Sequence, residues 1–230
     1  MLRVVVEVND KYNWLLAPFA YLFNTYWSEL QPVIVAGYNP PNFKLPRNFE
    51  FHSIARTNYP AEKWSDGMIE FLDWFSDEYF VFLLCDYWLC RTVDVRGVSA
   101  CYSYVKGTPN VLRVDLTDDR QYAGGVRDIG SWGCYDIIET PFQTPYQMST
   151  QAGLWNRKLF RQLLVPGKTA WDVEIHTQPP EWMRVLGTRQ RPVRYANALK
   201  KGKIDKRELS RIPQEHFNKV ASMIPEGWGK

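Results

Sequence analysis

The chain has 230 residues, 45% hydrophobic and 23% charged, the proportions of a globular domain that folds in water. No apolar run approaches the roughly 20 residues of a membrane-spanning helix. Met1-Leu-Arg-Val-Val-Val lacks the pattern of a signal peptide, so a cytoplasmic protein is expected. The net charge of +3 is uneven: 12 Lys/Arg stand against 4 Asp/Glu from Arg184 to Lys230, which leaves the rest of the chain acidic. A basic end on an acidic body suggests a polyanionic partner, with a solvated face as the plainer explanation.

The elements are taken in chain order. Leu2 to Val8 is a β-branched strand, and Glu7, Asn9 and Asp10 make its carboxyl end polar. Helical spacing follows from Trp14 to Trp27, then a strand from Gln31 to Gly37, a break at Asn39-Pro-Pro-Asn42 and a strand from Phe49 to Ile54. From Ser65 to Asp77, Met68, Phe71, Leu72 and Phe75 fall on one helical face. Phe80-Val-Phe-Leu-Leu-Cys is a continuous apolar run, the pattern of a strand buried on both faces. It runs into Asp86-Tyr87-Trp88, the place where an open α/β sheet puts its ligand. A core strand ending in a solvated Asp is the competing reading.

The remaining chain gives a helix over Val93–Tyr104, a strand over Asn110–Leu116, loops at Gly124-Gly125 and Gly130–Gly133, and a strand or hairpin over Ile137–Thr144. A helix over Asn156–Leu164, an element from Trp171 to Ile175, a turn near Gly202 and a last helix over Pro213–Met223 complete it. The βαβ–β–αβ order predicts a Rossmann-like α/β half. Cys85, Cys90, Cys101 and Cys134 lack zinc-ligand spacing and read as reduced thiols. There is no Gly-x-Gly-x-x-Gly after the first strand, no P-loop and no Gly-x-Ser-x-Gly elbow.

Polar clusters follow apolar segments at Glu7–Asp10, at Asp86–Trp88, and at Gln151–Trp155 followed by Trp171-Asp-Val-Glu174. Together they match the needs of glycosyl transfer: a nucleotide pocket, positive charge against a departing phosphate, and a carboxylate to take a hydroxyl proton. Each has a plainer reading as well. Asp172 and Glu174 suit a helix N-terminus, Trp155 and Trp171 suit a core, and Arg189, Arg191, Arg194 and Lys200–Lys203 suit a solvated face.

Trp64-Ser-Asp-Gly67, Leu84-Cys-Asp-Tyr-Trp-Leu89, Ser149-Thr-Gln-Ala-Gly-Leu-Trp155, Lys158-Leu-Phe-Arg161, Trp171-Asp-Val-Glu174 and Arg191-Pro-Val-Arg-Tyr-Ala-Asn197, in that order, resemble a nucleotide-sugar-dependent glycosyltransferase of GT-A fold, of the small bacterial or phage type. The resemblance implies a central mixed, mainly parallel sheet flanked by helices over residues 1–200, with a donor half to about 95, an acceptor and catalytic half from 96, and a basic C-terminal extension from 201 to 230. It implies donor binding by Val8, Asn9, Asp66, Asp86 and Trp88. Gln151, Gly153, Trp155, Arg191 and Arg194 would meet the acceptor or phosphate, and Asp172 or Glu174 would be the base of an inverting reaction. Asp86 would bind Mn²⁺ or Mg²⁺. Cys85-Asp86-Tyr87 departs from the family's Asp-x-Asp, so either diphosphate and Asp86 hold the metal or cationic side chains replace it. A hydroxymethylated base in phage DNA, in a host cytoplasm, and a surface glycan both suit the basic end as acceptor. The competing function is a non-catalytic nucleic-acid binder that stacks bases on Tyr195, Phe217 and Trp228.

Overall fold

A computed structural model describes residues 2–227. The first half alternates strand and helix: β1 (Arg3–Glu7), α1 (Leu16–Tyr26), β2 (Val33–Gly37), β3 (Phe49–Ser53), α2 (Trp64–Trp74), β4 (Tyr79–Leu84) and the short β5 (Tyr87–Leu89). The second half holds α3 (Val95–Lys106), β6 (Val111–Asp115), β7 (Arg127–Trp132), β8 (Tyr135–Glu139), β9 (Gly153–Asn156), α4 (Arg157–Leu163), α5 (Ala170–His176), β10 (Arg184–Thr188) and β11 (Tyr195–Asn197). A two-stranded hairpin, β12 (Leu199–Lys200) with β13 (Lys203–Ile204), then leads to α6 (Lys206–Leu209) and α7 (Gln214–Ala221).

Nine strands form one sheet in the order β3-β2-β1-β4-β9-β6-β10-β8-β7. The apolar runs of β1, β2 and β4 lie inside it and pair in parallel, because a strand with helices on both sides must be apolar on both faces. Alternation along β1 sorts the core: Val4 and Val6 pack with Leu16, Phe19 and Phe23 of α1, whereas Val5 packs with Met68, Phe71 and Leu72 of α2. β9 runs antiparallel to both β4 and β6 and joins the two halves.

Sequence pattern alone misses β9 and β10 and takes 130–133 as loop, where β7 runs. β9 has four residues and opens on a glycine. β7 is an edge strand exposed along most of its length, so no hydrophobic alternation marks it.

The basic end packs on the body. Leu199, Leu209, Ile212 and Val220 are buried in the core on the α1 side, and the Tyr21 hydroxyl lies 2.8 Å from His216 Nδ1. Phe217 packs against the same core, and Trp228 lies outside the described residues.

Gly97 sets how closely α3 approaches β8. A Cβ there would meet Tyr135 Cε1 at 2.8 Å, Asp94 Oδ2 at 2.9 Å and Pro192 Cβ at 3.1 Å. Gly97→Ala is expected to destabilise the fold by about 1–3 kcal/mol in urea unfolding, because overpacking outweighs the better helix propensity.

Candidate active site at the carboxyl edge of the sheet

β1 and β4 are in register with Glu7 opposite Leu84, and the Cys85 N–H donates to the Glu7 carbonyl at 3.1 Å. Two carboxylates, Glu7 and Asp86, thus end adjacent strands. Burial pushes the Glu7 carboxyl up to about 7; the Asp86 charge adds to this and a hydrogen bond from Trp64 opposes it. Burial pushes Asp86 up to about 6. With the Asn197 amide oriented to satisfy its neighbours, its nitrogen donates to Asp86 Oδ2 at 3.1 Å and to the Leu199 carbonyl at 2.8 Å. Burial first, then both carboxylates, drive the Cys85 thiol far up, so it stays a neutral core group. The sequence pattern places Glu7 in a polar cluster but gives it no role; the strand register sets it beside Asp86. The signal was there: a lone carboxylate closing a strand whose other residues are mostly β-branched and apolar.

Beyond Asp86 the chain turns into β5, which pairs with β11. This brings Tyr195 face to face with Tyr87, ring centroids 4.2 Å apart. The Tyr195 hydroxyl donates to Gln151 Oε1 at 2.9 Å, and Gln151 Nε2 donates to Asp119 Oδ1 at 3.1 Å. Asp119 also holds Arg120 at 2.6 Å. Beneath this platform Arg113 is fully buried. Its guanidinium donates to the Ser149 carbonyl and to Asp115 Oδ1, and it lies 5.1 Å from the Trp155 ring centre. Tyr195→Phe keeps the ring stack and removes the bond to Gln151; we expect a loss of about 1 kcal/mol in chemical denaturation.

The acidic pair on α5 divides. Asp172 closes a capping box: its Oδ2 accepts from the Thr169 N–H at 3.0 Å and hydroxyl at 2.7 Å, while the Asp172 N–H donates to Thr169 Oγ1 at 2.9 Å. The Thr169 bonds hold the Asp172 carboxyl below its ordinary range. Glu174 turns toward the sheet. Its Oε1 accepts from both the N–H and the hydroxyl of buried Thr150, each at 2.5 Å, and its charge acts on Tyr87 and Arg113.

The other sequence candidates fall into place as follows. Val8 and Trp88 are fully buried; the Trp88 indole donates to the Cys85 carbonyl at 3.1 Å, so both support the edge from beneath. Asn9 caps the turn after β1 by accepting from the Lys11 N–H. Asp66 accepts from the Gly167 N–H at 2.6 Å and ties α2 to the loop before α5. Gly153 opens β9 at the same edge. Trp155, expected to meet acceptor or phosphate, is core: it is fully buried and stacks on Phe160 at 4.3 Å. Trp171 is 67% exposed and is no core residue. Arg191 pairs with Asp118 at 2.9 Å, and Arg194 is exposed.

No protein-family model matches the chain, and no curated protein matches it in sequence. Solved structures do match. The crystal structure of S. aureus TarS 1-349 superposes with a TM-score of 0.53 at 10% identity, over 96% of this chain and 69% of that one. Glucosyl-3-phosphoglycerate synthase from Mycobacterium tuberculosis, crystallised with phosphoglyceric acid, gives 0.44 at 14% identity over 76% and 62%. The WbbM bifunctional glycosyltransferase gives 0.42 at 10% identity over 96% and 44%. A large, mostly parallel sheet flanked by helices, shared with TarS, is the GT-A-like fold of glycosyltransferases.

Proposed function

We propose that the protein transfers a sugar from a nucleotide-sugar to a hydroxyl acceptor with inversion at the anomeric carbon. The observation that carries this reading is Glu174 turned inward on Thr150 while Glu7 and Asp86 end adjacent strands, with the charges of Asp86 and Glu174 both acting on Tyr87 between β4 and β11. Both Thr150 bonds go to Glu174 Oε1, which leaves Oε2 to take the acceptor proton. As that O–H bond breaks, the acceptor oxygen bonds to the anomeric carbon from the face opposite the diphosphate. The bond from that carbon to the phosphate oxygen breaks as the new bond forms, and its electron pair leaves with the nucleoside diphosphate.

The donor set at the strand ends suits a hard divalent cation. It offers two carboxylates, and no Lys or Arg pairs with either among the described residues; no group of three or more His, Cys, Asp or Glu gathers there or anywhere else among them, so substrate phosphates would have to complete the shell. Mg²⁺ binds well through one or two carboxylates plus substrate phosphates, so Glu7 supplies the second acid that Cys85 does not. Such a cation, when bound, neutralises charge on the departing diphosphate. The Tyr87–Tyr195 stack and Gln151 form the wall beside it.

An anionic acceptor, DNA or a charged surface glycan, is supported by the exposed cations Arg194, Lys200, Lys201 and Lys203 beside β11. The competing base-stacking role is disfavoured, because Tyr195 is engaged with Tyr87 and Phe217 with the core. Incubation with UDP-, GDP- and dTDP-sugars and Mn²⁺ tests the reading. Release of a nucleoside diphosphate from one donor class is expected; no release and no binding for any of them would remove it.

A further inference from the structure

A cavity of about 430 Å³ opens at the amino edge of the sheet, between the end of β8 and the start of β10. The ends of β1 and β4 lie at the opposite edge, about 15 Å along the strands at 3.3 Å per residue, and at least three strand spacings across the sheet. Glu139, 8% exposed, forms its inner wall and is gripped from both sides: Arg184 Nε donates to Oε1 at 2.6 Å and Arg127 Nη2 to Oε2 at 2.7 Å. Burial alone would raise the Glu139 carboxyl, but these bonds hold it below its ordinary range. Each guanidinium carries more N–H groups than Glu139 takes up. Gln178 and Glu181 add further planar polar groups to the wall.

The rim carries an aromatic ring. Phe142 is 46% exposed in a turn where Gln143 and Tyr146 both adopt left-handed backbone, φ 66° and 59°. Non-glycine residues are disfavoured there by about 1 kcal/mol or more each. The turn is held by the Thr144 hydroxyl and Gln147 Nε2, which both donate to the Pro141 carbonyl, at 2.6 Å and 2.8 Å. The fold therefore holds a strained turn that leaves an aromatic face at the mouth of a polar cavity.

We propose that this cavity binds a neutral saccharide unit. Its two arginines and two glutamates, Arg127, Arg184, Glu139 and Glu181, cancel in charge, which disfavours a phosphate or other anion. Planar bidentate side chains match vicinal hydroxyls, and a ring face matches the C–H face of a pyranose. The volume suits one or two sugar rings. This inference stands on the amino edge alone and does not depend on the transfer chemistry.

Saturation-transfer NMR on the full chain tests it, with methyl β-glucoside and methyl N-acetyl-β-glucosaminide as probes. At least one glycoside gives a signal in the wild type and equally in Asp86→Asn. The signal falls by about tenfold in Phe142→Ala, the loss of one ring contact, with an unchanged Tm because Phe142 is at the rim. Gln178→Ala, another exposed substitution, weakens it as well. Absence of signal from both glycosides in the wild type overturns the proposal. So do an undiminished signal in Phe142→Ala and Gln178→Ala, loss in Asp86→Asn, or displacement by inorganic phosphate.

Discussion

Glu174→Gln lowers the turnover number for sugar transfer by about 10²- to 10⁴-fold, the usual worth of a positioned general base. Donor affinity is expected to change little, because this reading gives Glu174 the acceptor proton and leaves the donor diphosphate to Glu7 and Asp86. Gln keeps an acceptor oxygen for Thr150, so the fold survives. Asp172→Asn gives the opposite pattern. Asn can still accept from Thr169, so turnover stays near wild type and the melting temperature falls slightly. Because the folded state holds the Asp172 carboxyl below its ordinary range, its contribution to stability is present at neutral pH and is lost as pH falls through that lowered value. Steady-state rates and melting curves of the two variants, read together, separate base from cap. Equal loss of turnover in both would contradict the division drawn from the hydrogen bonds.

The second large effect is an exchange of stability for function. Glu7 and Asp86 are two carboxylates in one recess, each raised chiefly by burial, so above pH 7 the folded protein holds charge that water would solvate better. Glu7→Gln and Asp86→Asn are each expected to stabilise the cation-free protein at pH 8 by about 1–2 kcal/mol, less than the full shift implies because both groups retain some solvent contact. Each removes the response to Mn²⁺: the wild type gains melting temperature with Mn²⁺ and nucleoside diphosphate, and the variants gain little. A variant that loses stability yet keeps the Mn²⁺ response would place the cation elsewhere. Charge neutralisation at a departing diphosphate is commonly worth several kcal/mol, so donor turnover in both variants should fall by at least about 100-fold.

Much of this site is legible in the amino-acid order. β1, β2 and β4 announce themselves by unbroken apolar runs, and Asp86 follows from the rule that ligands gather where such strands end. Legibility fails where chemistry depends on partners far apart in sequence. Glu7 joins Asp86 only through the register of two parallel strands, 79 residues apart in sequence. Asp172 and Glu174 look equivalent in sequence, and only Thr169 and Thr150 decide which is cap and which faces inward. Trp155 reads as a ligand platform because it sits in a motif, yet alternation along the four-residue β9 turns it into the core. The basic end looks like a solvated extension because its apolar residues are sparse. Those few, Leu209, Ile212 and Val220, are the ones that dock it against the core.

Calorimetric titration of UDP and GDP into the wild type and Asp86→Asn, with and without Mn²⁺, tests the central claim most directly: that the ends of β1 and β4 hold a nucleoside diphosphate through a cation. The account predicts that one nucleotide binds the wild type, that Mn²⁺ tightens it by tenfold or more (about 1.4 kcal/mol), and that Asp86→Asn removes the Mn²⁺-dependent part. Binding of equal strength in the variant, or no binding of either nucleotide to the wild type with Mn²⁺ present, would contradict it.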